Sequence, residues 1–532
     1  MAKHIAYLAA LLVLCSLCLT GQSLTSLTGT VADPSDAVIP GASINLENVA
    51  QGAQRSTVSD GAGRYTFAQV PPGDYRIRGQ AAGFADVLVD GVRLLVNTPA
   101  TINVRFEKIG AAAETVFVSA EALQVNTTDA SLGNAFGTRP IMELPFEARN
   151  VAQLLSLQPG VTFIGNTDTL ANDGRNGSVG GSRSDQANVT LDGIDVNDQQ
   201  NRYAFTSVLR ATLDSIQEFR VTTVNPTADL GRSSGAQIAL NTKSGTNAFH
   251  GSVYEYHRNT VTTANSFFNN AVPGDATNPK GGVERPKLLR NAFGASAGGR
   301  IVRDRLFFFA NYEGRRDARE DSVVRIVPSE TLRQGIVQYL NTSGGVSVLS
   351  ANDIRTRIDP LGLGVNQAAL AVLQSYPMPN SDEVGDGLTT RGYRFKAPIG
   401  LRWNTYIAKM DGYLDRRAKH SVFVRGNLQN DHTNELPQFP GQPPARVNLN
   451  NSKGLAVGYN AVLRPNLIST ARYGFTRQGV QDTGALDVSY IQIHRDLDPP
   501  IATTRDIARI LPVHQFSEDL AWIKGSHNLK FG

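Results

Sequence analysis

The second half of this chain consists of segments in which apolar and polar residues alternate. In one of them, Leu455, Val457, Tyr459, Ala461 and Leu463 occupy every second position. Period-two alternation over about ten residues is typical of a β-strand with one apolar face. A strand of this length crosses a lipid bilayer when it is tilted. No other feature limits the possible folds as strongly.

The connections between these segments are short and long in alternation. Val302-Arg303-Asp304 and Arg464-Pro465-Asn466 form short polar turns. Short turns on one side and long loops on the other are typical of an outer-membrane β-barrel. We expect the long loops roughly at 259–290, 315–401, 431–452 and 479–515.

A soluble all-β domain is the alternative, because the strands of soluble sandwiches alternate as well. Aromatic residues near the strand ends favour the barrel, since membrane barrels carry aromatic girdles at both interfaces. The residues expected in these girdles are Tyr254, Tyr256, Phe307, Phe308, Phe309, Tyr473 and Phe475.

Length and charge narrow the possible functions. The 532 residues are too many for one domain and indicate three or more. The net charge is +4, from 51 basic and 47 acidic residues. Nucleic-acid binding needs clustered Lys and Arg, so we expect no nucleic-acid partner.

Residues 1–23 have the pattern of a secretory signal peptide. Lys3 and His4 precede the apolar stretch 5–19, and small residues follow at 20–23. The only two cysteines, Cys15 and Cys18, lie inside this segment. An exported mature chain therefore has no disulfide and no thiolate metal site.

Residues 25–109 are expected to form a small β-sandwich, because short alternating strands are separated by turns rich in Asp, Gly and Pro. This segment resembles the carboxypeptidase regulatory-like domain, which has a prealbumin-like or carbohydrate-binding-like fold. Asp36 stands where the family usually has Gly, and Asp tolerates turn conformations. The matching residues are Gly29-Thr30-Val31, Pro40-Gly41-Ala42, Asp60, Gly63-Arg64-Tyr65-Thr66-Phe67 and Pro72-Gly73-Asp74-Tyr75.

No motif in the chain supports catalysis. The sandwich segment contains no histidine, and the pair His432 and Glu435 lies in an expected loop rich in Pro and Asn. Ser233 has the spacing of a nucleophile elbow, but a strand is expected after it where the elbow needs a helix. We therefore expect no enzyme activity, no catalytic residue, no metal and no cofactor.

Residues 111–247 are expected to be an α/β domain with a short helix at 151–157. Several of its motifs resemble, in the same order, the plug of TonB-dependent receptors, and the first barrel hairpins resemble those of the Oar-like subfamily. These motifs are Glu143-Leu144-Pro145, Arg149-Asn150, Gln158-Pro159-Gly160-Val161, Gly181-Ser182-Arg183, Leu191-Asp192-Gly193-Ile194-Asp195, Ile216-Gln217-Glu218-Phe219, Gly235-Ala236-Gln237-Ile238, Asn241-Thr242-Lys243-Ser244-Gly245 and Ile301-Val302-Arg303-Asp304-Arg305-Leu306.

The resemblance implies a mainly β protein in the outer membrane of a Gram-negative-type cell. It implies a signal peptide at 1–23, a periplasmic sandwich at 25–109, a plug at 111–247 and the first part of a barrel at 248–532. The implied function is energised uptake of an extracellular substrate, which the sequence does not identify: a siderophore, glycan or peptide. A surface carbohydrate-binding or adhesion protein that works through the sandwich is the alternative.

The resemblance also implies two contacts, one with outer-membrane lipid and one with an inner-membrane energy-coupling protein of the TonB type. That protein pairs with an extended segment ahead of the plug, and such strand addition uses backbone hydrogen bonds. The other interpretation of the segment is the first strand of the plug. The candidate residues for this TonB box are Glu114, Thr115, Val116, Phe117, Val118 and Ser119.

The expected strands are too few to close a barrel. The resemblance implies about 22 strands, and an open edge in lipid leaves backbone groups unpaired. We therefore expect a C-terminally truncated barrel that forms a curved, open sheet. The expected strands begin near residues 250, 291, 305, 402, 420, 453, 467, 516 and 527.

Overall fold

A computed structural model describes residues 24–107, 115–119, 131–144, 149, 151–163, 177–198, 207–227, 231, 233–274, 279–415, 417–484, 492–525 and 527–532. The expected signal peptide at 1–23 and Glu114 lie outside the described residues. In the described part of the chain, no helix is long and apolar enough to cross a membrane.

The N-terminal strands form two sheets that share one core. The sheet orders are β4-β1-β7, with β8 also on β1, and β3-β2-β5-β6-β9. Inward residues such as Leu27, Tyr65 and Ile77 are buried between them. We call this unit the sandwich, with strands β1 (Thr25–Ala32), β2 (Ser43–Asn48), β3 (Gln54–Val58), β4 (Arg64–Val70), β5 (Gly73–Gln80), β6 (Asp86–Leu94), β7 (Ala100–Thr101), β8 (Val104–Arg105) and β9 (Thr115–Ser119).

Aspartates shape the turns of the sandwich. Asp36 has φ 66°, the left-handed conformation that glycine would otherwise supply. Asp33 Oδ1 accepts hydrogen bonds from the backbone N–H groups of Ser35 (2.8 Å) and Ala37 (2.9 Å). These bonds close the first turn, and the expectation that Asp36 tolerates a turn conformation is confirmed.

The described residues between 131 and 242 form a second unit, which we call the central domain. Its main sheet has the order β10-β16-β17-β14-β15 and packs over an apolar core that includes Leu154, Phe219 and Ile238. The expected short helix at 151–157 is present as a 3₁₀ helix. The elements are β10 (Leu132–Gly137), α1 (Thr138–Glu143), 3₁₀ helices at Val151–Leu157, Ser184–Gln186 and Leu213–Ser215, β11 (Val161–Phe163), β12 (Gly177–Val179), β13 (Ser182–Arg183), β14 (Asn188–Leu191), β15 (Ile194–Asp195), β16 (Ile216–Val224) and β17 (Gln237–Thr242).

The rest of the chain builds one large antiparallel sheet, which we call the barrel sheet. Its elements, together with the separate β21–β22 hairpin and the loop helices, are β18 (His250–Asn259), α2 (Phe267–Asn270), β19 (Leu288–Val302), β20 (Leu306–Pro328), α3 (Glu330–Arg333), β21 (Val337–Leu340), β22 (Val346–Leu349), α4 (Ala351–Asp353), α5 (Gln367–Ser375), β23 (Thr390–Tyr413), β24 (His420–Gln429), β25 (Asp431–Asn434), β26 (Val447–Asn450), β27 (Lys453–Arg464), β28 (Leu467–Thr483), β29 (Ile507–Lys524) and β30 (His527–Phe531), with a 3₁₀ turn at Thr260–Thr262 and a π turn at Ile354–Ile358.

The barrel sheet is open within the described residues. Its strands follow the order β18-β19-β20-β23-β24-β27-β28-β29-β30, and the short strands β25 and β26 bridge β23 and β28. Strand β18 pairs with β19 and β30 pairs with β29, and the two end strands do not pair with each other. The short turns join strand ends at one edge of the sheet, and the long connections leave from the other.

Three strands, β20, β23 and β29, are longer than the sequence pattern predicted. Strand β23 begins at Thr390 and β29 at Ile507, well before the expected starts near 402 and 516. Strand β20 continues to Pro328, so the two ends of the expected loop at 315–401 pair with each other as extensions of β20 and β23. The extension was missed because its first residues on β20, 315–321, carry charged side chains on both faces of the strand. Farther along the same pairing, Val327, Ala397 and Ile399 are buried. Ser329 caps the loop helix α3 by accepting from the Leu332 N–H, as predicted.

The two faces of the barrel sheet differ as period-two alternation requires. Leu455, Tyr459 and Leu463 of β27 are exposed on the outward face. Ala456 of the same strand is buried on the inward face, which packs against the central domain. The predicted apolar face of this segment is therefore the outward one.

Four of the predicted girdle aromatics face inward instead. Phe307 and Phe309 are buried on the inward face, and the Tyr254 hydroxyl donates to the inward carboxylate of Glu313 (2.8 Å). Tyr256 lies beside Tyr254 on the same face. Three consecutive phenylalanines occupy both faces of a strand, so alternation alone assigned the wrong side to two of them.

Candidate functional site

The central domain meets the barrel sheet through the β14–β15 hairpin. Asp192 and Gly193 turn this hairpin with φ values of 49° and 79°, as the Asp-Gly pair of a two-residue turn requires. The Asp192 carboxylate accepts from the Thr242 backbone N–H (3.0 Å) and hydroxyl (2.8 Å). These bonds fix the carboxylate on the side of the hairpin that faces the barrel sheet.

Two cations of the barrel sheet bind the Asp192 carboxylate. Arg425 Nε of β24 lies 2.8 Å from Oδ2, and Lys409 Nζ of β23 lies 3.4 Å from Oδ1. The Arg425 side chain is 0% exposed. Burial alone would raise the pKa of Asp192, but the charges of Lys409 and Arg425 outweigh it and hold the pKa below its usual value. The carboxylate is therefore ionised and paired.

A second ionic cluster surrounds Arg149. Its guanidinium contacts Glu313 of β20 (2.9 Å) and Asp214 of the central domain (3.2 Å). The rings of Tyr254 and Tyr256 lie 5.0 Å and 4.4 Å from its carbon centre. Although burial lowers the pKa of Arg149, the Glu313 carboxylate raises it above its usual value. Arg149 thus carries a fixed positive charge that joins both units.

A third contact pairs Arg210 of the central domain with Asp431 of β25. The guanidinium binds both carboxylate oxygens, at 3.1 Å and 2.7 Å, in the bidentate geometry that arginine favours. The Trp403 ring lies 4.0 Å from the guanidinium carbon and supports it from one side. Salt bridges therefore join the central domain to β20, β23, β24 and β25.

Glycines of the barrel sheet allow this close approach. A Cβ at Gly474 would lie 2.4 Å from the Ile194 side chain, and a Cβ at Gly454 would lie 2.2 Å from Leu209. Next to Gly474 on the inward face, Gln515 Oε1 accepts the Asp195 backbone N–H (2.8 Å). The absence of side chains at these positions lets the β14–β15 hairpin rest on the sheet.

The sandwich is attached to both of the other units. The Val96 N–H donates to Glu218 Oε1 of the central domain (2.7 Å). Burial raises the pKa of this carboxyl to about 7, although Val96, Arg220 and Arg93 each lower it. Gln51 bridges Gly245 O (3.1 Å) and the hydroxyl of Tyr413 (2.6 Å), close to the short turns of the barrel sheet.

The candidate TonB box lies in the sandwich sheet. Thr115, Val116, Phe117, Val118 and Ser119 form β9, which pairs in parallel with residues 86–90 of β6. In the described sheets β9 has β6 as its one neighbour and does not join the central sheet. The role of this segment, coupling segment or first strand of the plug, stays a prediction.

The enzyme-like motifs have structural roles. A strand, β17, follows Ser233 where a nucleophile elbow needs a helix. His432 lies in the short strand β25 rather than in a loop, and its Nε2 pairs with Asn434 (2.9 Å), while Glu435 binds Arg446. Among the described residues, no group of three or more His, Cys, Asp or Glu side chains is placed to hold a metal ion.

Comparison with known families decides the classification. Residues 241–532, more than half of the chain, match the model described as "Outer membrane beta barrel domain". The chain belongs to this outer-membrane barrel family. Residues 26–107 match the carboxypeptidase regulatory-like domain, in agreement with the resemblance noted in the sequence.

A curated relative of this barrel protein is the TonB-dependent transporter Oar of Myxococcus xanthus. The two are 27% identical over 312 residues, which cover 54% of this chain and 26% of Oar. The chain thus spans about a quarter of the relative's length. This homology confirms the predicted resemblance to the Oar-like group of TonB-dependent receptors.

Solved structures of outer-membrane receptors are similar to this barrel protein as well. The transporter YddB of Escherichia coli aligns with a TM-score of 0.45 and 13% identity, covering 74% of this chain and 46% of YddB. A mutant of the ferric enterobactin receptor PfeA of Pseudomonas aeruginosa, in complex with enterobactin, aligns with a TM-score of 0.44 and 11% identity, covering 76% and 49%.

Sequence reasoning missed the barrel-side partners of the central domain. Lys409, Arg425 and Asp431 were not predicted as interface residues. The sequence does indicate that Lys409 and Arg425 face inward, because they are charged and alternate with outward positions that are mostly apolar. Their partners are more than 200 positions away in the chain, so alternation alone does not identify them.

Proposed function

We propose that this protein is a TonB-dependent receptor that mediates energised uptake of a substrate across the outer membrane. The observation that carries the proposal is the buried contact of Asp192 with Lys409 and Arg425, which fastens a folded domain to the inward face of the barrel sheet. A barrel whose lumen holds a folded domain is closed to free diffusion. Transport then requires a movement of that domain, and the outer membrane has no ATP to drive it.

The domain assignment is part of the proposal. Residues 1–23 are the signal peptide, 25–109 the carboxypeptidase regulatory-like domain, 111–247 the plug and 248–532 the first part of a barrel of about 22 strands. In this assignment β9 is a segment ahead of the folded plug that pairs with the sheet of the preceding domain. The sandwich is periplasmic, because it contacts the barrel sheet at its short-turn edge. Asn247, for example, binds both Ala50 O of the sandwich (3.0 Å) and Asp304 of the β19–β20 turn (2.7 Å). The protein is a transporter without enzyme activity.

Residues 114–119 are the coupling segment in this proposal. Strand β9 has one neighbour among the described strands, so its second edge is open to a further strand. An inner-membrane TonB-type protein adds a strand there through backbone hydrogen bonds. Force from this partner then separates β9 from β6 and reaches the central domain through the following chain.

Substitution of Val116 tests the coupling segment. Val116→Pro removes a backbone N–H and disfavours strand pairing, so photo-crosslinking between this segment and the TonB-type protein in cells should be lost, together with uptake. Val116→Thr is the matched control, because it keeps the N–H and the β-branched side chain. Normal crosslinking in Val116→Pro would contradict the assignment of the segment.

The substrate class follows from a separate experiment. A strain lacking the gene is compared with its parent for growth on, and binding of, a panel of iron chelates, oligosaccharides and peptides. A defect on one class that the Val116→Thr gene repairs and the Val116→Pro gene does not would identify the cargo. Glycan binding by the sandwich with no uptake defect on any class would instead support a surface adhesion protein.

A further inference from the structure

A polar cavity of about 550 Å³ lies on the outward face of the barrel sheet. In a membrane barrel this face is in contact with lipid. The cavity spans strands β19, β20, β23 and the β24–β25 junction. Exposed or half-buried polar side chains line it, and no described part of the central domain or the sandwich reaches it. The residues that line it with polar side chains include Asn291, Arg316, Arg402, Asn404, Asn430 and His432.

Directly below this cavity, the outward face becomes aromatic. The rings of Phe293 and Tyr312 lie 6.2 Å apart, and those of Tyr312 and Tyr406 lie 5.0 Å apart, so one aromatic row crosses three strands. Aromatic rows of this kind mark the boundary between hydrocarbon and lipid headgroups in membrane barrels. The cavity therefore lies at headgroup level.

The apolar band below the row has the length that a bilayer requires. On β23 the outward residues Tyr406, Ala408 and Met410 are followed by Leu414 just past the strand end. A tilted strand needs about 9–11 residues to cross the hydrocarbon core. The distance from Tyr406 to Leu414 fits one crossing, which ends at the short turns.

The cavity places two arginines directly opposite each other on neighbouring strands. In the strand register Arg316 lies directly opposite Arg402, and Arg402 lies opposite His432. Like charges at directly opposed positions destabilise a sheet. The one acidic residue in the lining, Asp317, is already bound by Arg290 (3.0 Å) and Arg315 (2.7 Å). A bound anion would offset the repulsion between the two arginines.

Arg316 is held in position before any ligand arrives. Its guanidinium donates to Trp403 O (2.7 Å) and Asn404 Oδ1 (2.8 Å) and lies over the Phe293 ring (5.5 Å). Arg402 is exposed beside it. One fixed and one exposed arginine suit a phosphate group, which accepts charge-assisted hydrogen bonds from arginine in a bidentate arrangement.

We propose that this cavity binds the phosphorylated headgroup of a membrane lipid, a glycolipid of the outer leaflet whose acyl chains lie along the aromatic row. The inference rests on the proposed function in one respect, since the long-loop edge of the sheet must face the outer leaflet. The lipid would hold the wall of the barrel at a fixed height in the membrane.

The test measures lipid affinity of the purified full chain in detergent. The probe is a bisphosphorylated glucosamine-disaccharide lipid in mixed micelles, and its dephosphorylated form is the reference. Arg402→Gln should weaken binding of the phosphorylated lipid about fivefold, the effect of one surface cation near anionic lipid. Arg402→Lys keeps the charge but not the bidentate donors, so its affinity should lie between those of wild type and Arg402→Gln. Arg464→Gln removes an exposed arginine at the opposite edge of the sheet and should change nothing.

Three results would overturn the inference: equal affinity for both lipid forms, equal affinity of Arg402→Gln and Arg464→Gln, or displacement of the lipid by inorganic phosphate alone, which would make this a site for free anions. The readout needs neither energy coupling nor substrate. Lipid binding can therefore fail while the Val116 variants behave as proposed, and the reverse outcome is equally distinguishable.

Discussion

Asp192 and Arg425 form a buried ion pair, 2.8 Å apart, between the central domain and the inward face of the barrel sheet. They are separated by more than 200 positions in the chain, and the Arg425 side chain has no contact with solvent. A buried charge of this kind destabilises the folded protein when its oppositely charged partner is removed.

Removing one partner of this pair should loosen the central domain. Arg425→Met leaves the Asp192 carboxylate buried with Lys409 as its remaining cation, and loss of one partner of a buried pair costs about 3–5 kcal/mol. We expect a lower thermal midpoint in detergent and faster proteolysis of the central domain. Asp192→Asn combined with Arg425→Met should lose less than the sum of the two single changes, with a coupling energy of about 0.5–3 kcal/mol.

Arg464→Met is the control for this experiment, since that arginine is exposed at a short turn.

The ion pair of Asp192 and Arg425 should also resist acid. Because the folded-state pKa of Asp192 lies below the usual 3.8, its stabilisation is complete above that pH and is lost only as the pH falls through the lowered value. If the losses of stability in Arg425→Met and Asp192→Asn simply add in the double variant, the two side chains do not interact directly.

The packing of the sandwich around Glu218 should weaken as the pH rises, because burial disfavours the ionised carboxylate even though the Val96 N–H favours it. The folded-state pKa of about 7 lies above the usual 4.5, so the stabilisation is complete below pH 4.5 and is lost as the pH rises through 7. The total change is at most about 3 kcal/mol. Hydrogen exchange of the Val96 amide, corrected for its intrinsic rate, should therefore show more protection at acidic than at alkaline pH.

Glu218→Gln tests whether titration of the Glu218 carboxyl causes this pH dependence. Glutamine keeps an oxygen that accepts from Val96 but has no proton to lose, so protection of the Val96 amide should no longer depend on pH. Glu143→Gln, an exposed carboxylate of the same domain paired with Arg139, should leave the dependence intact. If Glu218→Gln retains the wild-type profile, titration of Glu218 does not control the contact.

The local features of this chain were predictable because short-range rules govern them. Asp36 adopts the turn conformation expected of it, and Ser329 caps the predicted helix. The outward exposure of Tyr459 follows from period two alone. Each of these depends on a few neighbouring residues, which the sequence displays directly.

The missed features depend on partners far away in the chain. Arg425 is buried because it finds Asp192, and no pattern in β24 names that partner. The extension of β20 past Arg315 is hidden by charged residues that bind one another, as Arg315 binds Asp317 (2.7 Å). The sequence allows two interpretations of residues 115–119, and their pairing with β6 joins positions about 30 residues apart, which no local pattern predicts.

Gly474 should tolerate no side chain. A Cβ there would lie 2.4 Å from Ile194, so Gly474→Ala forces the β14–β15 hairpin away from the barrel sheet. Overpacking of this kind costs about 1–3 kcal/mol, and we expect a lower thermal midpoint. Gly426→Ala is the control within the same sheet, since a Cβ at Gly426 meets nothing within 4 Å. Equal midpoints for the two variants would show that the hairpin does not rest on Gly474.

Release of β9 from β6 can be blocked by a disulfide. Leu88 and Phe117 are directly opposite in the register, and neighbouring strands lie close enough for the Cα separations that disulfides span. The chain's own cysteines, Cys15 and Cys18, both fall in the expected signal peptide, so the double variant Leu88→Cys with Phe117→Cys has one designed pair. When this pair is oxidised, we expect the TonB-type partner to crosslink to β9 at its open edge. Uptake should stop, because β9 no longer separates from the sandwich.

A reducing agent should restore uptake, and Leu88→Cys alone should remain active under oxidising conditions. Undiminished uptake by the oxidised double variant would mean that transport proceeds with β9 still in the sandwich sheet.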